Sequence, residues 1–492
     1  MSDPRIINLS LISHTNAGKT TLARTLLGMD VGEVRDAPHV TDLSSVYPMV
    51  AAGDGCELRL WDTPGFGDTV RLLKRLRESG NPITWVLSQA WDRYADRPLW
   101  CSKEALRNAR EEADIVLYMV NAAEPPEDAG YVAMEMEILT WIDKPVILLL
   151  NQKGPPREPD IEQAEEGRWR QHLKNYEVVK EVLSLDAFAR CWVQEGLLLK
   201  VAGGLLPMEK QGAFAVLSRA WREKNVDRFH RSMAVLARQL VRAVTDREEV
   251  PEKSWIDSLL EIFRSDEENE KDATAAAHER AMMLLAERLD EAIRSGTDEM
   301  IVLHGLNGRA AQEIFRRLRE DYATDEPVDT GFAAVVGGFV TGALGGLAAD
   351  IASGGMSLGL GIVGGGILGA LGGGSIAKGY NLVMRKERAL LHWSEEFFEG
   401  LVRSALLRYL AVAHFGRGRG DYAESERPAF WQSAAAALVL ERREPLRLIW
   451  ERAGEGATAA ELTDDMEALV TECAADLLER LYPEAERLIT RP

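Results

Sequence analysis

At 492 residues, 46% of them hydrophobic, the chain has the length of about three domains and enough apolar material for sizeable cores. Its 58 Lys and Arg stand against 78 Asp and Glu, and a net charge of −20 weighs against a protein that coats nucleic acid. Four scattered cysteines, Cys56, Cys101, Cys191 and Cys473, form no CxxC pair and no metal spacing, which fits a reducing cytoplasm. A strand pattern begins almost at the first residue, so no secretory signal is expected.

The apolar run at 6–12 predicts a buried strand, and 22–27 predicts a helix. Between them lies Ser13-His14-Thr15-Asn16-Ala17-Gly18-Lys19-Thr20-Thr21. Strand, tight loop, Gly-Lys-Thr and helix together form a phosphate-binding loop, in which backbone N–H groups and the helix N-terminus cradle an anion. Lys19 would reach the β- and γ-phosphates and the Thr20 hydroxyl would hold Mg²⁺. Ser13 stands where a glycine normally begins such a loop, and serine is small enough for the turn to close.

Residues 31–40 are polar and irregular, the place for a mobile switch; the switch segments are expected at 31–45 and 65–75, and Thr41 is the candidate sensor of γ-phosphate and Mg²⁺. A strand at 58–61 then runs into Asp62-Thr63-Pro64-Gly65, a DxxG motif 43 residues beyond Lys19. Asp62 would support Mg²⁺ through water. The Gly65 amide would bond the γ-phosphate and release it after hydrolysis.

Asn16-Ala17-Gly18-Lys19-Thr20 with Asp62-Thr63-Pro64-Gly65 resembles the translation-factor-related GTPases of the TrmE-Era group, over about residues 5–190. The resemblance implies that Asn16 helps to coordinate a potassium ion at the phosphates. It also implies that Phe66 occupies the place of a water-orienting glutamine. An aromatic ring cannot polarise water, so slow intrinsic hydrolysis is expected unless a cation, another residue or a second subunit assists.

Further strands are expected at 113–120 and 145–150, the latter leading into Asn151-Gln152-Lys153-Gly154. This tetrad stands where the resemblance calls for Asn-Lys-x-Asp. Asn151 and Lys153 are candidates for the base, but Gly154 replaces the aspartate that would bind guanine bidentately, leaving guanine specificity open. Asp186-Ala187 answers to the Ser-Ala loop over the base. The alternation of strands and helices implies an α/β domain with a parallel sheet covered on both faces.

From about residue 190 the texture becomes helical, with examples at 226–244, 273–293, 389–412, 428–440 and 459–488. Residues 331–374 interrupt it with 17 glycines and a single charge, Asp350. Gly338, Gly342 and Gly346, like Gly361, Gly365, Gly369 and Gly373, recur every fourth position, which predicts a glycine-zipper pair of helices. The first reading is a membrane hairpin followed by cytoplasmic Lys378, Arg385, Lys386 and Arg388; the other is a pair buried in a helical domain. Residues 190–492 hold no motif with chemistry of its own.

These readings divide the chain into a P-loop GTPase domain (1–190), a helical domain (191–330), a glycine-rich hairpin (331–378) and a C-terminal helical domain (379–492). The whole looks like a bacterial GTPase family with a C-terminal domain of unknown function. A GTP/GDP switch on the cytoplasmic side of the inner membrane is expected, coupled to that membrane and to a homodimer or protein partner. Two alternatives stay open: an RNA- or ribosome-assembly GTPase with the hairpin buried, and a membrane-remodelling or pore-forming protein triggered by nucleotide.

Overall fold

The structure is a computed structural model. It describes residues 3–15, 17–29, 44–78, 96–154, 156–188, 191–250, 273–306, 380–385, 388–415 and 429–483, with the single positions 31 and 87. Two compact units make up the chain. The first takes Met1–Asp227 with Ala413–Glu424 and Leu481–Pro492, and the second takes Arg228–Val412 and Ser425–Arg480.

In the first unit, β1 (Ile6–Ser13), β2 (Ser45–Ala52), β3 (Cys56–Asp62), β4 (Ile115–Asn121), β5 (Val146–Asn151) and β6 (Val179–Ser184) form one sheet in the order β2-β3-β1-β4-β5-β6. Only β2 runs antiparallel; it pairs with β3 at the sheet edge. Strands β4 and β5 are near-continuous runs of Val, Ile and Leu with almost no exposed residue. A strand covered on both faces requires such composition, because neither face meets water. The sheet is flanked by α1 (Lys19–Leu27), α2 (Thr69–Arg77), α3 (Arg97–Glu111), α4 (Gly130–Thr140) and α5 (Pro159–Leu173).

Local signals explain where α2 starts and which side it buries. The Asp68 side chain caps it by accepting from the Arg71 N–H at 3.0 Å. Thr69, Leu72, Leu73 and Leu76 recur at helical spacing and are buried. Each of the three leucines contributes about 1.5–3 kcal/mol of burial free energy.

Strand order reverses at β1, which lies between β3 and β4. Loops leaving the carboxyl ends of neighbouring strands diverge at such a point and open a crevice. The phosphate loop, Asp62 and Asn151 all emerge from this one edge.

Beyond β6 come α6 (Trp192–Leu205) and the 38-residue α7 (Met208–Thr245). Lys210, 2% exposed, anchors the start of α7 through bonds of 2.7 Å to both Asp114 carboxylate oxygens and 2.8 Å to the Ile6 carbonyl.

The second unit contains α8 (Ala273–Leu303), α9 (Glu395–Ala413), α10 (Ala429–Glu441), α11 (Arg443–Glu455) and α12 (Ala459–Leu481). It also holds a small antiparallel sheet of β7 (Glu248–Val250), β8 (Tyr380–Arg385) and β9 (Arg388–Trp393), ordered β7-β9-β8. This corrects the helix expected from residue 389. The backbone is extended until Ser394, whose hydroxyl accepts from the Phe397 N–H at 3.2 Å and starts α9. Trp393 stacks on Phe397 with ring centroids 4.3 Å apart, bridging strand and helix.

Among the described residues no helix is long and apolar enough to cross a membrane. The glycine-rich stretch 331–374 lies outside the described residues, as do Asn16, Thr41 and most of the 31–45 segment. All four cysteines are buried and unbridged.

Candidate functional site

The phosphate loop turns into α1 at Gly18, which has φ +85°. A side chain is strained in that conformation, and a Cβ here would also come within 2.9 Å of Asn151 Nδ2. Lys19 follows as the first residue of α1 and is buried. Its ammonium donates to the Ser13 hydroxyl at 2.9 Å, while Ser13 itself donates to the His14 carbonyl. The serine that departs from the usual glycine is thus a hydrogen-bond partner for Lys19. Ala17 is buried behind the loop and Thr21 in the first turn of the helix.

The Thr20 hydroxyl donates to Asp62 Oδ2 at 2.6 Å, and Asp62 Oδ1 is buried without a hydrogen-bond partner. A buried carboxylate oxygen left unmatched costs free energy unless something binds it. One hydroxyl beside one carboxylate with a spare oxygen is the hard, oxygen-only set that suits Mg²⁺. Thr20 would hold the ion directly and Asp62 would support it; when bound, the ion neutralises charge on the β- and γ-phosphates. Burial pushes the Asp62 carboxyl above its ordinary range, opposed by the Thr20 hydroxyl, Lys19 and Arg24. Burial likewise lowers the Lys19 ammonium, opposed by Asp62, Glu135 and Cys101.

Gly65 lies against the phosphate loop. A Cβ there would fall 2.8 Å from Lys19 Nζ and 3.2 Å from both the Ser13 carbonyl and the Thr15 nitrogen. The next residue, Phe66, is fully buried, and its N–H donates to the Ser13 carbonyl at 2.9 Å. Its ring therefore belongs to the core and offers nothing to a water molecule.

At the opposite end of the crevice, Asn151 joins two loops. Its amide nitrogen donates to the Ala17 carbonyl and its oxygen accepts from the Ala187 N–H, both at 2.8 Å. Thr25 on α1 holds the same Ala187 through its carbonyl at 2.8 Å. Asp186 accepts from the Lys153 and Phe188 N–H groups at 2.7 and 2.8 Å, which shapes the loop from within. The Lys153 ammonium donates to Ser184, just before this loop, at 2.7 Å and lies 3.3 Å from Glu162. Gln152, with φ +58°, also approaches the phosphate loop: its amide nitrogen is 3.6 Å from a Cβ placed on Gly18.

The structure therefore brings together Ser13, Ala17, Gly18, Lys19, Thr20, Asp62, Gly65, Asn151, Asp186 and Ala187, while the Lys153 N–H bonds Asp186 and its ammonium bonds Ser184. Sequence reasoning missed the buried Glu135. Its signal was a carboxylate on the apolar stripe Val132, Met136 and Leu139 of α4, where a hydrophobe would ordinarily sit.

The sheet order, the phosphate loop and the Thr20–Asp62 pair together give residues 8–152 the fold of a P-loop GTPase domain. Residues 8–152 match the family described as 50S ribosome-binding GTPase, and residues 170–474 match the family described as a domain of unknown function (DUF3482). The second match takes in more than half of the chain, and the chain belongs to that family. No curated protein matches it.

Among solved structures the chain is similar to a variant of Aquifex aeolicus Era bound to GDP and AlF4−, at 17% identity over 47% of this chain and 67% of that one, with a TM-score of 0.28. It is similar to Era in complex with MgGDPNP and part of 16S ribosomal RNA, at 19% identity, 41% and 57% coverage and a TM-score of 0.28. A bacterial selenocysteine-specific elongation factor gives 18% identity, 40% and 28% coverage and a TM-score of 0.24. The chain thus spans little more than half of the second protein and under a third of the third.

Proposed function

We propose that the chain is a slow, Mg²⁺-dependent GTP-hydrolysing switch whose nucleotide state is passed to its helical part. One arrangement carries the reading: the Thr20–Asp62 pair with its spare buried oxygen, set beside the Lys19 ammonium at the mouth of the crevice. An anhydride bearing a metal ion meets its charge there on all sides. Lys19 grips the phosphates, Thr20 and Asp62 hold Mg²⁺, and Gly65 reads the γ-phosphate. Asn151, Asp186 and Ala187 form the base end.

The buried Phe66 ring supports slow turnover, because no glutamine stands beside Gly65 to orient water. Thr41 as γ-phosphate sensor, Asn16 as a potassium ligand and a second subunit as an aid to hydrolysis remain part of this reading. Membrane association through 331–374 rests on that segment's sequence, with its 17 glycines and single charge.

Competition among GTP, GDP and ATP for the full chain, with Mg²⁺ and either potassium or sodium, tests the reading. It predicts tight GTP and GDP binding and faster hydrolysis in potassium. A preference for ATP would overturn the guanine assignment, for which Gly154 leaves no carboxylate at the usual position.

A further inference from the structure

Glu135 on α4 has no exposed surface, yet it is bound by three other elements. Its Oε1 accepts from His14 Nδ1 at 2.7 Å and from the Thr69 hydroxyl at 2.8 Å. Its Oε2 accepts from the Tyr118 hydroxyl at 2.6 Å. His14 belongs to the phosphate loop and stacks on Tyr131 with centroids 4.6 Å apart. Thr69 is the first residue of α2, four positions after Gly65. A carboxylate is acceptor-only, so all three partners donate.

An apolar side chain would pack this stripe of α4 at no desolvation cost, whereas a buried carboxylate is tolerated only when donors surround it. Here two of the donors come from the loop that grips phosphate and the segment that senses it. The same stretch of chain is held against β1 through the Phe66 N–H on the Ser13 carbonyl, with Gly65 close to the Lys19 ammonium. Only three residues separate Gly65 from Thr69, so a shift of the Gly65 backbone on binding a γ-phosphate is felt at the Thr69–Glu135 bond. We propose that Glu135 is a positioning residue that fastens the start of α2 to the phosphate loop, so that Gly65 engages the γ-phosphate only as the Thr69–Glu135 bond gives way. The proposal rests on the nucleotide-switch reading above.

The test uses the full chain, GDP and a non-hydrolysable GTP analogue. Thr69→Val removes the hydroxyl at nearly constant volume, and Thr69→Ser keeps it. The expected result is a ratio of analogue to GDP affinity raised on the order of tenfold in Thr69→Val and close to wild type in Thr69→Ser. Glu135→Leu strands three donors and can fail to fold, so Thr69→Val carries the test alone. Where the Thr69→Val/Glu135→Leu double variant folds, its ratio should equal that of Thr69→Val. A ratio unchanged or lowered in Thr69→Val, or both affinities falling together, overturns the proposal while sparing the switch. A wild-type chain that binds neither nucleotide overturns the switch itself, and this proposal with it.

Discussion

The Thr20 hydroxyl lies 2.6 Å from Asp62 Oδ2, joining the first turn of α1 to the end of β3 across 42 residues of sequence. Two groups from separate elements thus meet where the phosphate loop ends, and only one oxygen of the carboxylate is used. The pair is ready to share a divalent cation, and the first prediction follows from it. Asp62→Asn keeps the shape but removes the charge, and should weaken Mg²⁺-dependent nucleotide binding by roughly 10–100-fold. Titrating Mg²⁺ against nucleotide affinity in both proteins checks this. Equal Mg²⁺ dependence in the variant would remove Asp62 from the site.

Gly65→Ala separates sensing from gripping. The added methyl would press on the Lys19 ammonium and on the loop backbone, so the segment must draw back. GDP affinity should hold within about threefold, while affinity for a GTP analogue falls by about tenfold or more with the lost amide bond. Calorimetric titration of both nucleotides distinguishes this from a general loss of binding.

Lys210 and Asp114 form a buried ion pair that ties α7 to the sheet. Removing one member leaves an uncompensated charge, so Lys210→Met should cost the first unit about 3–5 kcal/mol. Chemical denaturation followed through the unit's tryptophans measures it. The double change Lys210→Met/Asp114→Leu should recover a good part of the loss, since no orphan charge remains.

His392 on β9 supplies a pH dependence. Burial and the nearby Arg247 hold its imidazole below the ordinary value of 6.5, and its Nε2 is buried without a hydrogen-bond partner. The unfolded chain therefore binds the proton more readily than the folded chain does. The contribution of His392 to stability is constant above about pH 6.5 and falls as pH drops from there toward the lowered folded value. Denaturation midpoints at a series of pH values should show this acid loss in the wild type and a smaller one in His392→Gln. Parallel pH curves for the two proteins would exclude His392 as the cause.

What could be read from the chain alone was what is local in it. Ser13 to Thr21 and Asp62 to Gly65 are short motifs whose geometry follows from their own residues. The buried strands announced themselves by unbroken apolar runs at 115–120 and 146–150. Contacts made at long range could not be read. Glu135 meets His14 across 121 residues and Thr69 across 66. Nothing near any of the three marks the others. Lys153 is another such case: its ammonium donates to Ser184, 31 residues further on, which nothing in the 151–154 motif marks. The sequence from 389 reads as helix because the apolar residues of β9 run straight into those of α9, and only the cap at Ser394 parts them.

Lys19 is the cation proposed to grip a nucleoside triphosphate at the mouth of the β1 crevice. Equilibrium binding of GTP to the Lys19→Ala chain, its fold confirmed by unchanged thermal unfolding, tests this most directly. The predicted result is a loss of affinity of about 100-fold or more, the scale of a lost charge-assisted contact in a water-poor site. A variant that binds GTP as tightly as the wild type would contradict it.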